Sequence, residues 1–460
     1  MPETKEILRT AAERAIRYLE GLDARGVAPS PEALSNLQRF DELLPEHPSD
    51  PQAVLSLLDE AGSPATVATA GGRYFGFVVG SALPAAVAAN WLAGAWNQNA
   101  GIAVLSPVAA RLEEVAMRWL LDALRLPPES GVGFVANATQ ANLSALAAAR
   151  HALLARQGWD VEAQGLFGAP PIRVVVGEEV HVSVLKSLAL IGLGRDRVVR
   201  APVDNQGRMR ADALPKLDAH TIVCLQAGNV DTGSFDPAAD IVPKARAAGA
   251  WVHVDGAFGL WAAASPDHAH LVAGVDQADS WATDAHKWLG VPYDSGIVIV
   301  REPRHLLGAM AMNAPYLVLG EKREPHHYTL DLSRRARGVE VWTAMRTLGR
   351  RGLAELIART CRHAKRFADG LRAAGYEVLN DVVINQALAS FGDADTTRSV
   401  AAAIQADGTC WAATTVWQGH TAMRISVSSW ATTDEDVERS LAAMLRAADG
   451  VKRGKQRAAQ

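Results

Sequence analysis

The chain has 460 residues, of which 49% are hydrophobic and 21% are charged, and its net charge is −4. This composition is ordinary for a globular protein with a sizeable core, and it gives no reason to expect nucleic acid or an anionic membrane as a partner. Cys224, Cys361 and Cys410 are too few and too scattered for a disulfide framework or a zinc site, so we expect a reducing, cytoplasmic setting. We expect neither a signal peptide nor a membrane span, because the charged N-terminus lacks an apolar core and no apolar stretch is long enough.

The first part of the chain predicts helices without strands. An amphipathic pattern over residues 5–22 is followed by proline-punctuated segments and by a helix around residues 54–61. These helices are too few for a convincing core of their own. We therefore predict an N-terminal helical arm over residues 1–70 that packs on something else, such as a second subunit. A long apolar helix over residues 84–96 comes next.

From residue 132 onward, short apolar runs alternate with helical stretches. Continuous apolar runs are typical of strands buried on both faces, and the alternation is typical of a mostly parallel sheet flanked by helices. The seven predicted strands cover residues 132–135, 172–176, 197–201, 221–225, 251–254, 279–282 and 297–300. We predict an α/β fold whose large domain covers residues 71–338.

The pattern changes again near residue 339. A long helical region over residues 339–374 precedes strand-like pieces and a closing helix, and the start of that helix, residues 432–435, resembles a capping box. The strand-like pieces cover residues 376–379, 385–390 and 422–427. We predict a smaller C-terminal α+β domain over residues 339–460.

Lys287 and Asp255 are the leading candidates for chemistry. Lys287 directly follows His286 after one predicted strand, and Asp255 ends the preceding strand. Parallel neighbouring strands would bring both side chains to the sheet edge where α/β folds place their sites. We interpret Lys287 as a lysine that carries pyridoxal 5′-phosphate as a Schiff base, with Asp255 protonating the pyridine nitrogen. Taken singly, Lys287 could be a solvated charge and Asp255 a helix cap.

Other residues could complete a cofactor site. Ala138 and Thr139 open a helix directly after the first sheet strand, where backbone amides and a hydroxyl can bind phosphate. Ser280, Thr283 and His286 are further phosphate candidates. His181 starts another helix and could lie flat over an aromatic cofactor ring. Ordinary helix capping is the alternative for the helix-start residues.

Taken together, these motifs resemble the group II pyridoxal-phosphate decarboxylases. This fold-type I family includes aromatic-L-amino-acid, glutamate and diaminobutyrate decarboxylases. The resemblance covers about residues 74–430 and rests on His181, the turn from Asp255 to Ala257, and the stretch from Ser280 to Trp288. It implies a fold-type I PLP-dependent transferase-like architecture and a homodimer with active sites at the subunit interface. The implied reaction is α-decarboxylation of an L-amino acid to the amine and carbon dioxide, through an external aldimine and a quinonoid.

The resemblance also implies a role for individual residues. The implied catalytic residues are Lys287, Tyr316 and His181. The implied cofactor contacts are Ala138, Thr139, His181, Asn229, Asp255, Ala257, Ser280, His286 and Lys287. Tyr316 matches the proton donor in the family's mobile catalytic loop, although it could be a packed loop aromatic, with Tyr328 acting instead.

The substrate is less clearly indicated. Phe77, Val79, Gln98 and Asn99 lie in segments that resemble the lining of the family's side-chain pocket. The polar amides disfavour an aromatic substrate, unless they cap a helix or cross a subunit interface. Aldehyde-forming relatives often have phenylalanine where Tyr316 stands, so Tyr316 favours simple decarboxylation. An aldehyde synthase, a carbon–carbon lyase and a cofactor-binding protein without turnover are the alternatives.

Overall fold

The computed structural model describes residues 2–312 and 323–458. By compactness the chain divides into two units. The first comprises Met1–Ser81, His363–Leu379 and Ala387–Gln460, and the second comprises Ala82–Arg362 and Asn380–Gln386. The three-domain division at residues 70 and 338 stays a prediction. No helix in the described ranges is both long enough and apolar enough to cross a bilayer.

The helices are, in chain order, α1 (Pro2–Glu20), α2 (Pro31–Ser35), α3 (Pro51–Leu57), α4 (Ser63–Ala65), α5 (Pro84–Trp96), α6 (Pro107–Ala123), α7 (Ala138–Ala155), α8 (Val161–Gln164), α9 (Val182–Leu190), α10 (Ala238–Ala247), α11 (Pro303–Met310), α12 (Arg337–Ala373), α13 (Ala394–Asp407) and α14 (Asp434–Ala458). The strands are β1 (Gly131–Val135), β2 (Arg173–Gly177), β3 (Val199–Ala201), β4 (Thr221–Gln226), β5 (Trp251–Asp255), β6 (Ser280–Asp284), β7 (Gly296–Val300), β8 (Glu377–Val378), β9 (Gln386–Ser390), β10 (Ala413–Trp417) and β11 (His420–Ser426).

The second unit is built on a seven-stranded sheet in the order β1-β7-β6-β5-β4-β2-β3. Strand β7 runs antiparallel to its neighbours β1 and β6, whereas the pairs among β2, β3, β4, β5 and β6 are parallel. All seven strands predicted from the apolar runs are confirmed to within about two residues at their ends. The predicted mostly parallel sheet flanked by helices is therefore confirmed.

Helix α7 packs on the sheet against β1, β5, β6 and β7. Its sheet-facing side is rich in alanine, and Ala141, Ala145 and Ala148 are fully buried. Small side chains let the helix backbone approach the strands closely. Asn137 caps this helix by accepting a hydrogen bond from the Gln140 N–H at 3.1 Å. Polar groups at the start of α7 are thereby held near the carboxyl ends of the parallel strands.

The first unit contains α1 to α4 and a four-stranded sheet in the order β10-β11-β9-β8. Strands β8, β9 and β11 match the strand-like pieces predicted from the sequence, but β10 was missed. Its Thr-Thr-Val-Trp run is followed by Gln418 and Gly419, both with positive φ, which is a hairpin signal. The predicted capping box is present, since Asp436 N–H donates to Thr433 Oγ1 at 3.1 Å and Thr433 N–H donates to Asp436 Oδ2 at 3.0 Å.

Candidate functional site

The carboxyl ends of β5 and β6 lie side by side. Asp255 ends β5 and is in register with Ala282, while Lys287 follows the end of β6. Ala257 connects the two strand ends. Its N–H donates to Asp255 Oδ1 at 3.2 Å, and its carbonyl accepts from the Asp284 N–H at 2.9 Å. The structure therefore brings Asp255, Ala257 and Lys287 to the same edge of the sheet.

Lys287 forms an ion pair with Asp284, a residue that the sequence analysis missed. The distance from Lys287 Nζ to Asp284 Oδ2 is 3.0 Å, and the aspartate side chain is only 4% exposed. The other carboxylate oxygen accepts a hydrogen bond from the Ala138 N–H at 2.6 Å, at the N-terminus of α7. The N-terminus of a helix carries partial positive charge, so Asp284 lies between this helix end and the lysine ammonium group. The sequence signal that could have identified Asp284 is an acidic residue at the end of the strand that precedes Lys287.

His286 lies beside this ion pair. Its Nδ1 accepts from the Ser295 N–H at 3.1 Å, and its Nε2 is 3.6 Å from Asp284 Oδ1. Burial lowers the pKa of His286 below its ordinary value, and Asp284 opposes that shift. The imidazole is therefore neutral at neutral pH, with its proton on Nε2. The Tyr293 ring packs against it at a centroid distance of 4.3 Å, with the two ring planes tilted by 31°.

The start of α7 is an anion-binding end next to Lys287. The Ala138 N–H donates to Asp284 Oδ1, and Asp284 is also the ion-pair partner of Lys287. The Thr139 carbonyl accepts from Ser187 Oγ at 3.1 Å, which anchors the first turn. Gly296 fits beneath this turn, because a Cβ there would lie 2.5 Å from the Asn137 carbonyl carbon. Backbone amides at a helix N-terminus are the kind of donor that a phosphate group requires, and the Ala138 amide here is occupied by Asp284.

Asp255 is a buried carboxylate that accepts hydrogen bonds from neutral donors. It is 6% exposed, and its Oδ2 accepts from Asn142 Nδ2 at 3.1 Å. Across residues 2–312 and 323–458, no lysine, arginine or histidine lies within ion-pair distance of it. A buried charge without a counter-charge is costly. A protonated ring nitrogen is the kind of partner that this carboxylate lacks.

His181 caps α9, as the capping alternative anticipated. Its Nδ1 accepts from the Ser183 N–H at 3.3 Å and lies 2.7 Å from Ser183 Oγ. Ser183 Oγ in turn accepts from Asn142 Nδ2 at 3.1 Å. His181 is therefore connected to Asp255 through Asn142, which the sequence analysis did not single out.

Ser280 lies away from the lysine end of β6. It starts the strand, about 13 Å from Asp284 at roughly 3.3 Å per residue. Its hydroxyl oxygen lies 3.0 Å from both Trp251 Nε1 and His253 Nδ1 and is fully buried. This position argues against the predicted phosphate contact, because the length of the strand separates Ser280 from the anion-binding end of α7.

The Asn229 side chain stabilises the loop that contains it. Its Nδ2 donates to Glu179 Oε2 at 3.0 Å, and its Oδ1 accepts from the N–H groups of Asp231 and Thr232. The amide is buried, and both its nitrogen and its oxygen make hydrogen bonds within the protein. A direct contact between Asn229 and the cofactor stays a prediction.

The amides of Gln98 and Asn99 make local contacts. Gln98 Nε2 donates to the Trp96 carbonyl at 2.9 Å, and Asn99 Oδ1 accepts from the Gly101 N–H at 2.9 Å and the Arg334 N–H at 3.3 Å. The structure thus favours the capping alternative for this pair. Their predicted contact with substrate is untested.

Phe77 and Val79 belong to the first unit. The Phe77 ring lies 5.7 Å from the Trp411 ring, and the Val79 carbonyl accepts from Ser428 Oγ at 3.3 Å. Their role in a substrate pocket stays a prediction.

Tyr316 lies outside the described residues, so its predicted role as proton donor is also untested. Its alternative, Tyr328, packs against the core cluster of the second unit, with the Arg323 guanidinium 4.3 Å from its ring centroid. The structure therefore shows Tyr328 as a packed aromatic next to the sheet.

Comparisons with known proteins agree with this geometry. The model of the pyridoxal-dependent decarboxylase conserved domain matches residues 35–389. The chain is 29% identical over 384 residues to L-2,4-diaminobutyrate decarboxylase of Rhizobium meliloti, which covers 78% of this chain and 74% of that protein. It is 29% identical over 326 residues to tryptophan decarboxylase 1 of Oryza sativa subsp. japonica, with 65% of this chain and 63% of that protein covered. For the rice protein, the chain thus spans slightly less than two thirds of its length.

A crystal structure of Oryza sativa TDC with PLP and tryptamine has the same fold. The TM-score is 0.90 at 23% sequence identity, and the match covers 98% of each chain.

Proposed function

The chain belongs to the pyridoxal-dependent decarboxylase family, and we propose that it converts an L-amino acid to the amine and carbon dioxide by α-decarboxylation. Its cofactor is pyridoxal 5′-phosphate. The observation that carries the proposal is the meeting of Lys287, the anion-binding end of α7 and the Asp255 carboxylate at one sheet edge. When bound, pyridoxal phosphate supplies an electron sink for the charge left at Cα as carbon dioxide departs.

The residues at this edge fit the three parts of the cofactor. Lys287 would hold the aldehyde carbon covalently, and the Thr139 amide in the first turn of α7 would bind the phosphate. The Ala138 amide would join it only after giving up its hydrogen bond to Asp284 Oδ1. Asp255 would bind the pyridine nitrogen, with His181 and Ala257 on the two faces of the ring. These assignments follow from the family resemblance, and the donor chemistry of the site supports them.

The protein's own groups control protons at three places. At the ring nitrogen, the Asp255 carboxylate stabilises a bound proton and thus a positive charge, because no cation in the described ranges competes for it. At the lysine, Asp284 lies 3.0 Å from Nζ and can stabilise the ammonium group whenever Lys287 is free. We assign delivery of the proton to Cα to Tyr316, on the resemblance alone.

The test is a panel of L-amino acids incubated with the purified holoenzyme, with carbon dioxide and amine measured together. We expect equal amounts of the two products from at least one substrate. Lys287→Ala should abolish turnover and the visible absorbance of the covalently bound cofactor. Lys186→Ala, an exposed lysine on α9, is the matched control and should keep both.

Other outcomes identify the other candidate reactions. Aldehyde, ammonia and hydrogen peroxide with carbon dioxide would indicate an aldehyde synthase, and aldehyde without carbon dioxide would indicate a carbon–carbon lyase. Cofactor absorbance without any product would indicate a binding protein. If the cofactor-saturated wild type shows no lysine-dependent absorbance, the proposed site is wrong.

We also propose that the chain is a homodimer with its active sites at the subunit interface. In the second unit, α5 and a following segment expose large apolar side chains, which are Trp91, Leu92, Trp96, Val104, Leu105 and Val108. In the first unit, Leu43 and Leu44 are almost completely exposed. Groups of exposed large apolar side chains are typical of interaction surfaces, which supports the assembly expected from the family resemblance.

A further inference from the structure

A chain of buried hydrogen bonds leads to the Asp255 carboxylate. Trp251 Nε1 lies 3.0 Å from Ser280 Oγ, which lies 3.0 Å from His253 Nδ1. His253 Nε2 lies 2.9 Å from Asn142 Oδ1, and Asn142 Nδ2 lies 3.1 Å from Asp255 Oδ2. Trp251, Ser280, His253 and Asn142 are at most 2% exposed. Water therefore does not compete for these bonds.

The direction of each bond follows from donor and acceptor chemistry. The Asp255 carboxylate can only accept, so Asn142 must present its NH₂ group to it and its oxygen to His253. That oxygen requires a proton on His253 Nε2. Burial lowers the pKa of His253 to about 3, so the ring is neutral, and its Nδ1 accepts the Ser280 proton. Trp251 donates to Ser280, so all four bonds run toward Asp255.

A second branch of the hydrogen-bond network connects Asn142 with His181. Asn142 Nδ2 also donates to Ser183 Oγ at 3.1 Å. Since that oxygen accepts from the amide, the Ser183 hydroxyl proton points to His181 Nδ1 at 2.7 Å. His181 Nδ1 therefore accepts, which leaves Nε2 as the ring nitrogen that carries a proton. One amide group thus connects the residue proposed for the ring nitrogen with the residue proposed for the ring face.

The two branches together point to Asn142. We propose that Asn142 is a positioning residue, which orients Asp255 toward the cofactor's ring nitrogen and sets the tautomer of His181, while His253 fixes the orientation of Asn142. The donors of the network are uncharged, so they bind the Asp255 carboxylate by hydrogen bonds without cancelling its negative charge. The full charge of Asp255 remains available to the ring nitrogen. This inference rests on the proposed role of Asp255.

The test compares two cofactors in the apoenzyme, pyridoxal phosphate and its 1-deaza analogue, in which carbon replaces the ring nitrogen. Dissociation constants are measured by quenching of tryptophan fluorescence. Wild type should bind pyridoxal phosphate more tightly than the analogue. Asn142→Ala should lower that preference by roughly tenfold, the value of a hydrogen bond to a charged group, and should change affinity for the analogue little.

Ser144→Ala is the matched control. Ser144 is buried on the same helix, and its hydroxyl has no hydrogen-bond partner within the described ranges. This variant should keep the wild-type preference. A purely structural role of Asn142 would weaken binding of both compounds equally and leave the preference unchanged, which would overturn the proposal.

A second pair of variants covers the case in which Asn142→Ala does not fold. His253→Ala removes the N–H that orients Asn142 and should lower the preference, whereas His253→Gln can keep a donor and should restore it. Equal preferences in these two variants would overturn the proposal. If instead wild type and Asp255→Ala show the same lack of preference, the proposed role of Asp255 itself is wrong, so the two failures can be told apart.

Discussion

The imidazole of His253 is fully buried between Ser280 and Asn142, and burial lowers its pKa to about 3. An unfolded chain restores the ordinary histidine value of about 6.5. As the pH falls below about 6.5, the unfolded state therefore binds a proton that the folded state does not, and the protein loses stability. We expect His253 alone to lower the unfolding free energy by about 2 kcal/mol between about pH 7.5 and about pH 5.

The measurement is urea unfolding of wild type and His253→Gln at both pH values. Glutamine does not titrate, so the loss of unfolding free energy on acidification should be smaller in the variant by about 2 kcal/mol. His420→Gln, at an exposed histidine of β11, should behave like wild type. The same pH dependence in wild type and His253→Gln would contradict the burial argument.

At the scale of an element, α12 contains a residue that only glycine accommodates well. Gly349 has φ 59° and ψ −178°, which interrupts the helix, and a Cβ there would meet nothing within 4 Å. The effect of Gly349→Ala is thus backbone strain alone, and we expect it to destabilise the fold by about 1–2 kcal/mol. Gly450, inside α14, also has open space around it, so Gly450→Ala should stabilise by about 0.5–1 kcal/mol.

Thermal or urea unfolding measures both variants. We expect the unfolding free energy to fall in Gly349→Ala and to rise in Gly450→Ala. Stabilisation by Gly349→Ala, as for a glycine in an ordinary helical conformation, would contradict the strain argument at this position.

At the scale of the whole molecule, the exposed apolar side chains of α5 predict self-association. Trp91 and Leu92 are 43% and 55% exposed. Replacing both with glutamate would place charges in the proposed interface, so we expect the variant to be largely monomeric when wild type is dimeric. Light scattering coupled to size-exclusion chromatography measures the mass directly.

Phe167→Glu is the control for the dimer experiment, because Phe167 is an exposed aromatic residue that lies outside α5. It should leave the mass of the assembly unchanged. A monomeric wild type that still turns over substrate would contradict both the dimer and the placement of active sites at its interface.

Local sequence patterns were sufficient for the seven-stranded sheet of the second unit. Strands such as β1, β4 and β7 are apolar runs because both of their faces are buried. Asp255 and Lys287 could be paired from the sequence, since parallel strands place their carboxyl ends at the same edge. Strand β10 was not predicted from the sequence. Its exposed residues are polar or β-branched, so the strand contains no continuous apolar run.

The sequence by itself thus determined the sheet and the family, since both depend on local order or on the order of motifs along the chain, and it paired Lys287 with Asp255 at one sheet edge. Only the tertiary structure decided which polar side chains meet. Asn142 and Asp255 are 113 residues apart and touch because α7 packs across β5. Ser280 belongs to the network behind Asp255, and Asp284 to the lysine, because they occupy opposite ends of the same strand. The packing of a helix across a sheet sets such contacts, and no short stretch of sequence records it.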